Sequence, residues 1–135
     1  MTLTDAGPLV ALLDKNDIRH VPCRAFLPRL SPPMQTTWPC FTEAMYLLGR
    51  TVGHRGQDDL WEWAESGFLT FYEITPAQRL EMRLLMTKYK DRPMDLADAS
   101  LVVAANALGI RRVFTTDGDF LVYRTEENKP FEVVP

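Results

Sequence analysis

The sequence has little from which to build a transition-metal site or a histidine-assisted nucleophile. It holds two cysteines, Cys23 and Cys40, and two histidines, His20 and His54. The cysteines show neither metal-ligand spacing nor a disulfide framework, and both are expected as small buried thiols. The histidines fall in polar, loop-like stretches with no second ligand at a helical offset, and are expected at the surface. No apolar run approaches the roughly 20 residues of a membrane-spanning helix. The start "MTLTDAGPLVALLDKND" lacks the basic opening and small-residue cleavage site of a secretion signal. A cytoplasmic protein without a membrane segment is the expectation.

Lysine is also scarce, limited to Lys15, Lys88, Lys90 and Lys129, and the net charge is −3. That balance speaks against a basic protein that coats nucleic acid. The remaining cations are arginines: Arg19, Arg24, Arg29, Arg50, Arg55, Arg79, Arg83, Arg92, Arg111, Arg112 and Arg124. A guanidinium fork suits phosphate better than an ammonium does, although a solvated surface rich in arginine accounts for the same count. With 135 residues, 46% of them hydrophobic, the chain is sized for one soluble domain spanning 1–135.

Strand and helix signals alternate along the chain. "MTLTD" reads as a strand ending at Asp5, and "GPLVALLDK" as a helix with Pro8 near its first turn. "HVPCRAFLPRL" reads as a short helix cut by Pro22 and Pro28, and "MQTTWPC" as a strand ended by Pro39. "FTEAMYLLGR" is the next helix, stopping near Gly49 and Gly53. "QDDLWEWAES" is an amphipathic helix closed by Gly67. "FLTFYEI" is a strand. "TPAQRLEMRLLMTKYKD" is a helix with Thr75 as cap and Pro76 first, whose Met82, Leu85, Met86 and Tyr89 form a core face. Helix 95–108 follows, with Gly109 as its stop, then the strands "RRVFTT" and "FEVVP". The order predicts an α/β three-layer sandwich with a mostly parallel central sheet flanked by helices.

In such sheets ligands gather beyond the carboxyl ends of the strands. Asp5 ends the first strand, Asp117 follows "RRVFTT", and Glu43 and Asp98 lie in the first turns of their helices. All four are expected at one edge of the sheet. Taken singly most have ordinary roles: Asp95 as N-cap, Asp98 and Glu43 as first-turn acids, Asp117 and Asp119 as turn residues around Gly118. Asp5 has no evident capping role and no neighbouring cation, and a buried acid without a partner costs free energy. Clustered carboxylates repel one another until a proton or a hard divalent cation offsets them. Mg²⁺ takes carboxylates, waters and phosphate oxygens, and a pair of such ions about 3.5–4 Å apart supports phosphodiester cleavage.

Three segments, "LTDAGPLVALLD", "FTEAMYLL" and "MDLADASLVVAANALGIRRVFTTDGDFLVYR", resemble PIN-domain proteins, specifically ribonuclease toxins of the VapC type. The resemblance runs in order over nearly the whole chain. It implies a PIN-like fold and an acid quartet at Asp5, Glu43, Asp98 and Asp117, with Asp95 and Asp119 in support. It also implies Mg²⁺ or Mn²⁺ as cofactor, cleavage of RNA to leave a 5′-phosphate, a small antitoxin partner, and a homodimer. One departure stands out. Relatives commonly carry Ser or Thr directly after the first aspartate, whereas here Ala6 follows; Thr116 remains as a polar neighbour of Asp117.

Three other readings stay open beside this one. A catalytically weak or inactive PIN-like module would hold RNA or protein without cleaving it. A phosphotransferase with Asp5 as nucleophile usually wants an aspartate where Gly7 stands. A calcium loop beginning at Asp117 lacks its later oxygen ligands. The stretch "LWEWAESGF" offers Trp61 and Trp63 either to a partner surface or to the core.

Overall fold

The computed structural model describes residues 1–135. The strands are β1 (Thr2–Thr4), β2 (Met34–Thr36), β3 (Leu69–Phe71), β4 (Arg112–Phe114) and β5 (Glu132–Val134). The helices are α1 (Ala6–Leu13), α2 (His20–Phe26), α3 (Trp38–Thr51), α4 (His54–Glu65), α5 (Gln78–Lys88) and α6 (Leu96–Leu108). The sheet order is β3-β2-β1-β4-β5, and every pairing is parallel, so the expectation of a mostly parallel sheet is met in full. No helix is long and apolar enough to cross a membrane.

Two apolar layers sandwich the sheet. On one face Met34, Leu69 and Phe114 pack against Leu9 of α1, Phe41 and Leu48 of α3 and Leu60 of α4. On the other, Leu3 and Val113 pack against Leu101, Val102 and Ala105 of α6 and against Phe120 and Tyr123. Residues Ala97 to Ala105 of α6 are all buried, which is why its sequence is apolar almost all round. Its ends are explicit. Asp95 accepts the Asp98 amide at 2.8 Å, and Gly109 takes the left-handed conformation at φ 67 that closes the last turn.

Several boundaries differ from the sequence expectations. α3 begins at Trp38, with Pro39 inside its first turn rather than ending a strand, and it runs through Gly49 to Thr51. Proline lacks only an N–H that the first helical turn cannot use, so it fits both roles. Pro22 likewise lies in the first turn of α2 without cutting it, while Pro28 forms a separate 3-10 turn, Leu27–Arg29. α5 starts at Gln78, not Thr75: residues 75–77 form a tighter turn, with the Gln78 and Arg79 amides donating to the Thr75 and Pro76 carbonyls, while the Gln78 side chain still accepts the Thr75 amide as a capping box does. Met82, Leu85, Met86 and Tyr89 are only half-buried against the α6 side of the core. Trp63 packs inward and Trp61 stays largely exposed.

Candidate metal centre

With the order 3-2-1-4-5, the chain reverses its direction of travel across the sheet between β1 and β4. The crevice beyond the carboxyl ends of those two strands is where the topology opens a binding site. Asp5 stands one residue past β1, its amide still donating to the Phe114 carbonyl of β4 at 3.0 Å. Asp117 stands three residues past β4, after Thr115 has made the last ladder bond to Val134. Asp98 reaches the same crevice from the first turn of α6. Carboxylate oxygens of Asp5, Asp98 and Asp117 lie within 4.8 Å of one another, which is close enough to share a cation.

Each acid is oriented by donors that leave its charge intact. Asp5 does have a capping role, contrary to expectation: one oxygen accepts the Ala6 amide at the start of α1, 2.7 Å away. Its other oxygen accepts the Thr115 hydroxyl at 2.9 Å. The same Thr115 oxygen accepts the Asp117 amide at 3.0 Å, so one hydroxyl ties two of the acids together. Asp98 accepts the hydroxyl of the fully buried Tyr123 at 2.9 Å. Asp117 accepts the Asp119 amide at 2.9 Å and thereby caps the 3-10 turn Gly118–Leu121.

The other predicted acids sit differently. Glu43 is exposed in the second turn of α3, because that helix starts at Trp38; it is not one of the three close carboxylates, yet their charges reach it. Asp95 is spent as the α6 cap. Asp119 forms an ion pair with Arg92 at 2.9 Å.

Burial and mutual repulsion show in the acidities. Burial pushes the Asp98 carboxyl up to about 8 against the opposing hydrogen bond from Tyr123, with Asp95, Asp5 and Asp117 adding to the rise. Asp5 is raised by burial first, and its bonds from Ala6 and Thr115 pull the other way. Glu43 is raised by burial and then by Asp5, Asp95 and Asp117. The charged groups acting on these three are all acids; no lysine or arginine compensates them. A hard divalent cation is the partner this donor set suits, since carboxylates alone supply it.

Thr115, Tyr123 and Cys40 were not singled out as site residues from the sequence. The hydroxyl missing at Ala6 is supplied by Thr115, not by Thr116, whose oxygen packs on Gly7 too closely for a Cβ to fit there. Cys40 is buried as expected, with its sulfur 3.8 Å from Asp5 and 3.6 Å from the Ala97 carbonyl; burial first, then Asp5, raises its thiol well above the usual range. His54 is exposed, while His20 is half-buried and its ring nitrogen lies 2.7 Å from the Ala11 carbonyl.

The sequence matches no family model and no curated protein. Among solved structures, the chain is similar to VapC20 of Mycobacterium tuberculosis, described as a toxin that cleaves the sarcin–ricin loop. The TM-score is 0.82 at 20% identity, over 88% of this chain and 92% of that one. At that identity the likeness speaks to architecture. The chain has the PIN-domain fold of VapC.

Proposed function

We propose that the protein is a Mg²⁺- or Mn²⁺-dependent endoribonuclease, the toxin of a cytoplasmic toxin–antitoxin pair. The observation that carries this reading is the meeting of Asp5, Asp98 and Asp117 within 4.8 Å, none of them in an ion pair with a lysine or arginine, at the switch point of the sheet. The likeness of the fold to a ribonuclease toxin supports the choice of RNA as substrate.

In this reading Asp5, Asp98 and Asp117 hold the divalent ion. When bound, that ion offsets phosphate charge and acidifies a water. Thr115 keeps Asp5 and Asp117 in one fixed relation, and Tyr123 keeps one oxygen of Asp98 turned away from solvent. Glu43, whose carboxyl is raised first by partial burial and then by Asp5, Asp95 and Asp117, orients the attacking water and takes its proton. Water adds to phosphorus as the bond to the 3′-oxygen breaks, leaving a 5′-phosphate on one fragment and, after proton uptake from solvent, a 3′-hydroxyl on the other. Surface arginines hold flanking phosphates and set position without reading sequence. A small antitoxin that covers the acidic edge, and a homodimeric assembly, complete the proposal.

The test is cleavage of total RNA and of a sarcin–ricin stem-loop with Mg²⁺, with Mn²⁺ and with chelator. Fragments that need the metal and vanish in both Asp5→Asn and Asp98→Asn are expected. Metal-independent fragments, or full activity in both variants, would sink the reading. RNA retained without cleavage by wild-type protein would favour the non-catalytic module instead.

A further inference from the structure

Beside the acid cluster lies an open cavity of about 330 Å³, lined by Thr115, Thr116, Asp117 and Gly118 and by Arg19 and Pro22 at the start of α2. Val133 of the edge strand β5 also lines it. We propose that this cavity receives the nucleoside next to the scissile phosphate, with Arg19 on the phosphate beyond it. The proposal rests on the nuclease reading and names where that substrate is gripped.

Four features carry it. First, Thr115 and Asp117 belong to both places, so the cavity adjoins the acids directly. Second, the volume is at the low end of ligand pockets, which start near 300 Å³, and suits one nucleoside rather than a longer ligand.

Third, the walls are chemically mixed. Pro22 and Val133 offer apolar surface to a base, and Arg19 and Asp117 supply polar groups beside it. Fourth, the Arg19 guanidinium is free. The ion pairs of the protein are Arg92–Asp119, Arg112–Glu132 and Lys129–Glu127, and Arg19 is in none of them. Its own amide is fixed by the Asp17 carboxylate at 2.8 Å, which anchors the start of α2 while the side chain stays available. A cation beyond an acidic centre gives a polyanion two charges to satisfy in sequence: the metal at one phosphate, the guanidinium at the next.

Gly118 makes the test clean. Its backbone is not in the left-handed region, a Cβ there meets nothing within 4 Å, and it lines the cavity, so Gly118→Phe adds bulk at the opening without backbone strain. Arg19→Gln removes the charge at similar length. Both variants are expected to raise KM for a short single-stranded RNA roughly tenfold, as loss of one stacked base or one charged contact does. Their affinity for Mn²⁺ alone, by calorimetry, is expected to match wild type within about twofold, because no acid ligand is altered.

A second arm titrates uridine 5′-monophosphate into metal-free protein and follows the Gly118 amide by NMR; a shift in wild type that is lost in Arg19→Gln is expected. Cleavage by wild type with unchanged KM in both variants overturns the pocket and leaves the nuclease reading standing. Wild type that cleaves nothing but still shows the nucleotide shift overturns the nuclease reading and leaves the pocket. Inorganic phosphate reproducing the whole shift reduces the site to an anion contact and overturns the nucleoside assignment. A rise in KM accompanied by lost Mn²⁺ affinity means the acid cluster was disturbed, and also overturns it.

Discussion

Asp98→Asn isolates the cost of the acid cluster. In the folded protein burial raises the Asp98 carboxyl from an ordinary 3.8 to about 8, so at pH 6 it holds a proton that the unfolded chain has released. The folded state therefore binds more protons between those two values, and metal-free stability must fall as pH rises from about 4 to about 8. At 1.36 kcal/mol per pH unit the full difference corresponds to about 5–6 kcal/mol. Even a buried site relaxes and responds with an effective dielectric well above that of a dry interior, so about 2 kcal/mol is the expected loss.

For a chain of this length that is a fall of roughly 8 °C in Tm, readable by calorimetry in chelator-treated buffer at pH 5 and pH 8.5. Asparagine keeps an oxygen for the Tyr123 hydroxyl and cannot ionise. The variant should lose most of the pH slope, keeping a shallower one from Asp5, which is raised too. Mn²⁺ at about a hundred times its Kd should stabilise wild type by about 2.7 kcal/mol and the variant much less. A wild-type stability that rises between pH 5 and 8, or a variant with the full slope and the full Mn²⁺ effect, would refute the reasoning.

Two threonine-to-valine changes, one just past β4 and one at the end of β1, should act differently. Thr115→Val strips a buried donor from Asp5 and an acceptor from the Asp117 amide; it should cost about 1–3 kcal/mol in denaturant unfolding. It should also weaken Mn²⁺ binding by about 10–100-fold, as lost support of ligands does. Thr4→Val removes a fully buried hydroxyl that has no partner, so stability should hold or rise by about 1 kcal/mol. Tyr123→Phe deletes the bond that opposes the rise at Asp98, so half-saturation by Mn²⁺ at fixed concentration should move to higher pH in a titration series.

How far the sequence reveals this site depends on which signals are local. The α6 segment is legible because its ends are written in single residues: Asp95 as cap, Asp98 in the first turn, and Gly109 at the left-handed close. Asp5, Asp98 and Asp117 are legible as neighbours because strand order carries chain ends to one edge. Glu43 slips by a turn because Pro39 fits a strand end and a helix start equally well, and the choice falls to Trp38 and Thr37. Trp38 stacks on Phe71 at 4.1 Å, and the Thr37 and Ser100 hydroxyls lie 2.6 Å apart. Those partners are distant in sequence, so no local pattern announces them. The hydroxyl beside Asp5 is missed by one residue for a related reason. On an extended segment neighbouring side chains face opposite ways, and whether Thr115 or Thr116 turns toward β1 follows from register.

What distinguishes this cluster from an ordinary buried ion-pair network is the kind of partner each acid receives. A hydroxyl or an amide orients a carboxylate and leaves its charge in place, whereas a guanidinium cancels it. Asp5, Asp98 and Asp117 receive only uncharged donors: Thr115, Tyr123, the Cys40 thiol and the amides of Ala6 and Asp119. Arg92 is engaged by Asp119, whose own amide holds Asp117. In this arrangement Asp119 serves the centre by occupying an arginine. Freeing that arginine with Asp119→Asn should let it move toward Asp117 and weaken Mn²⁺ binding, although no oxygen of the close triad has been removed. Calorimetry showing unchanged Mn²⁺ affinity in this variant would mean that Arg92 is held off by something other than its partner.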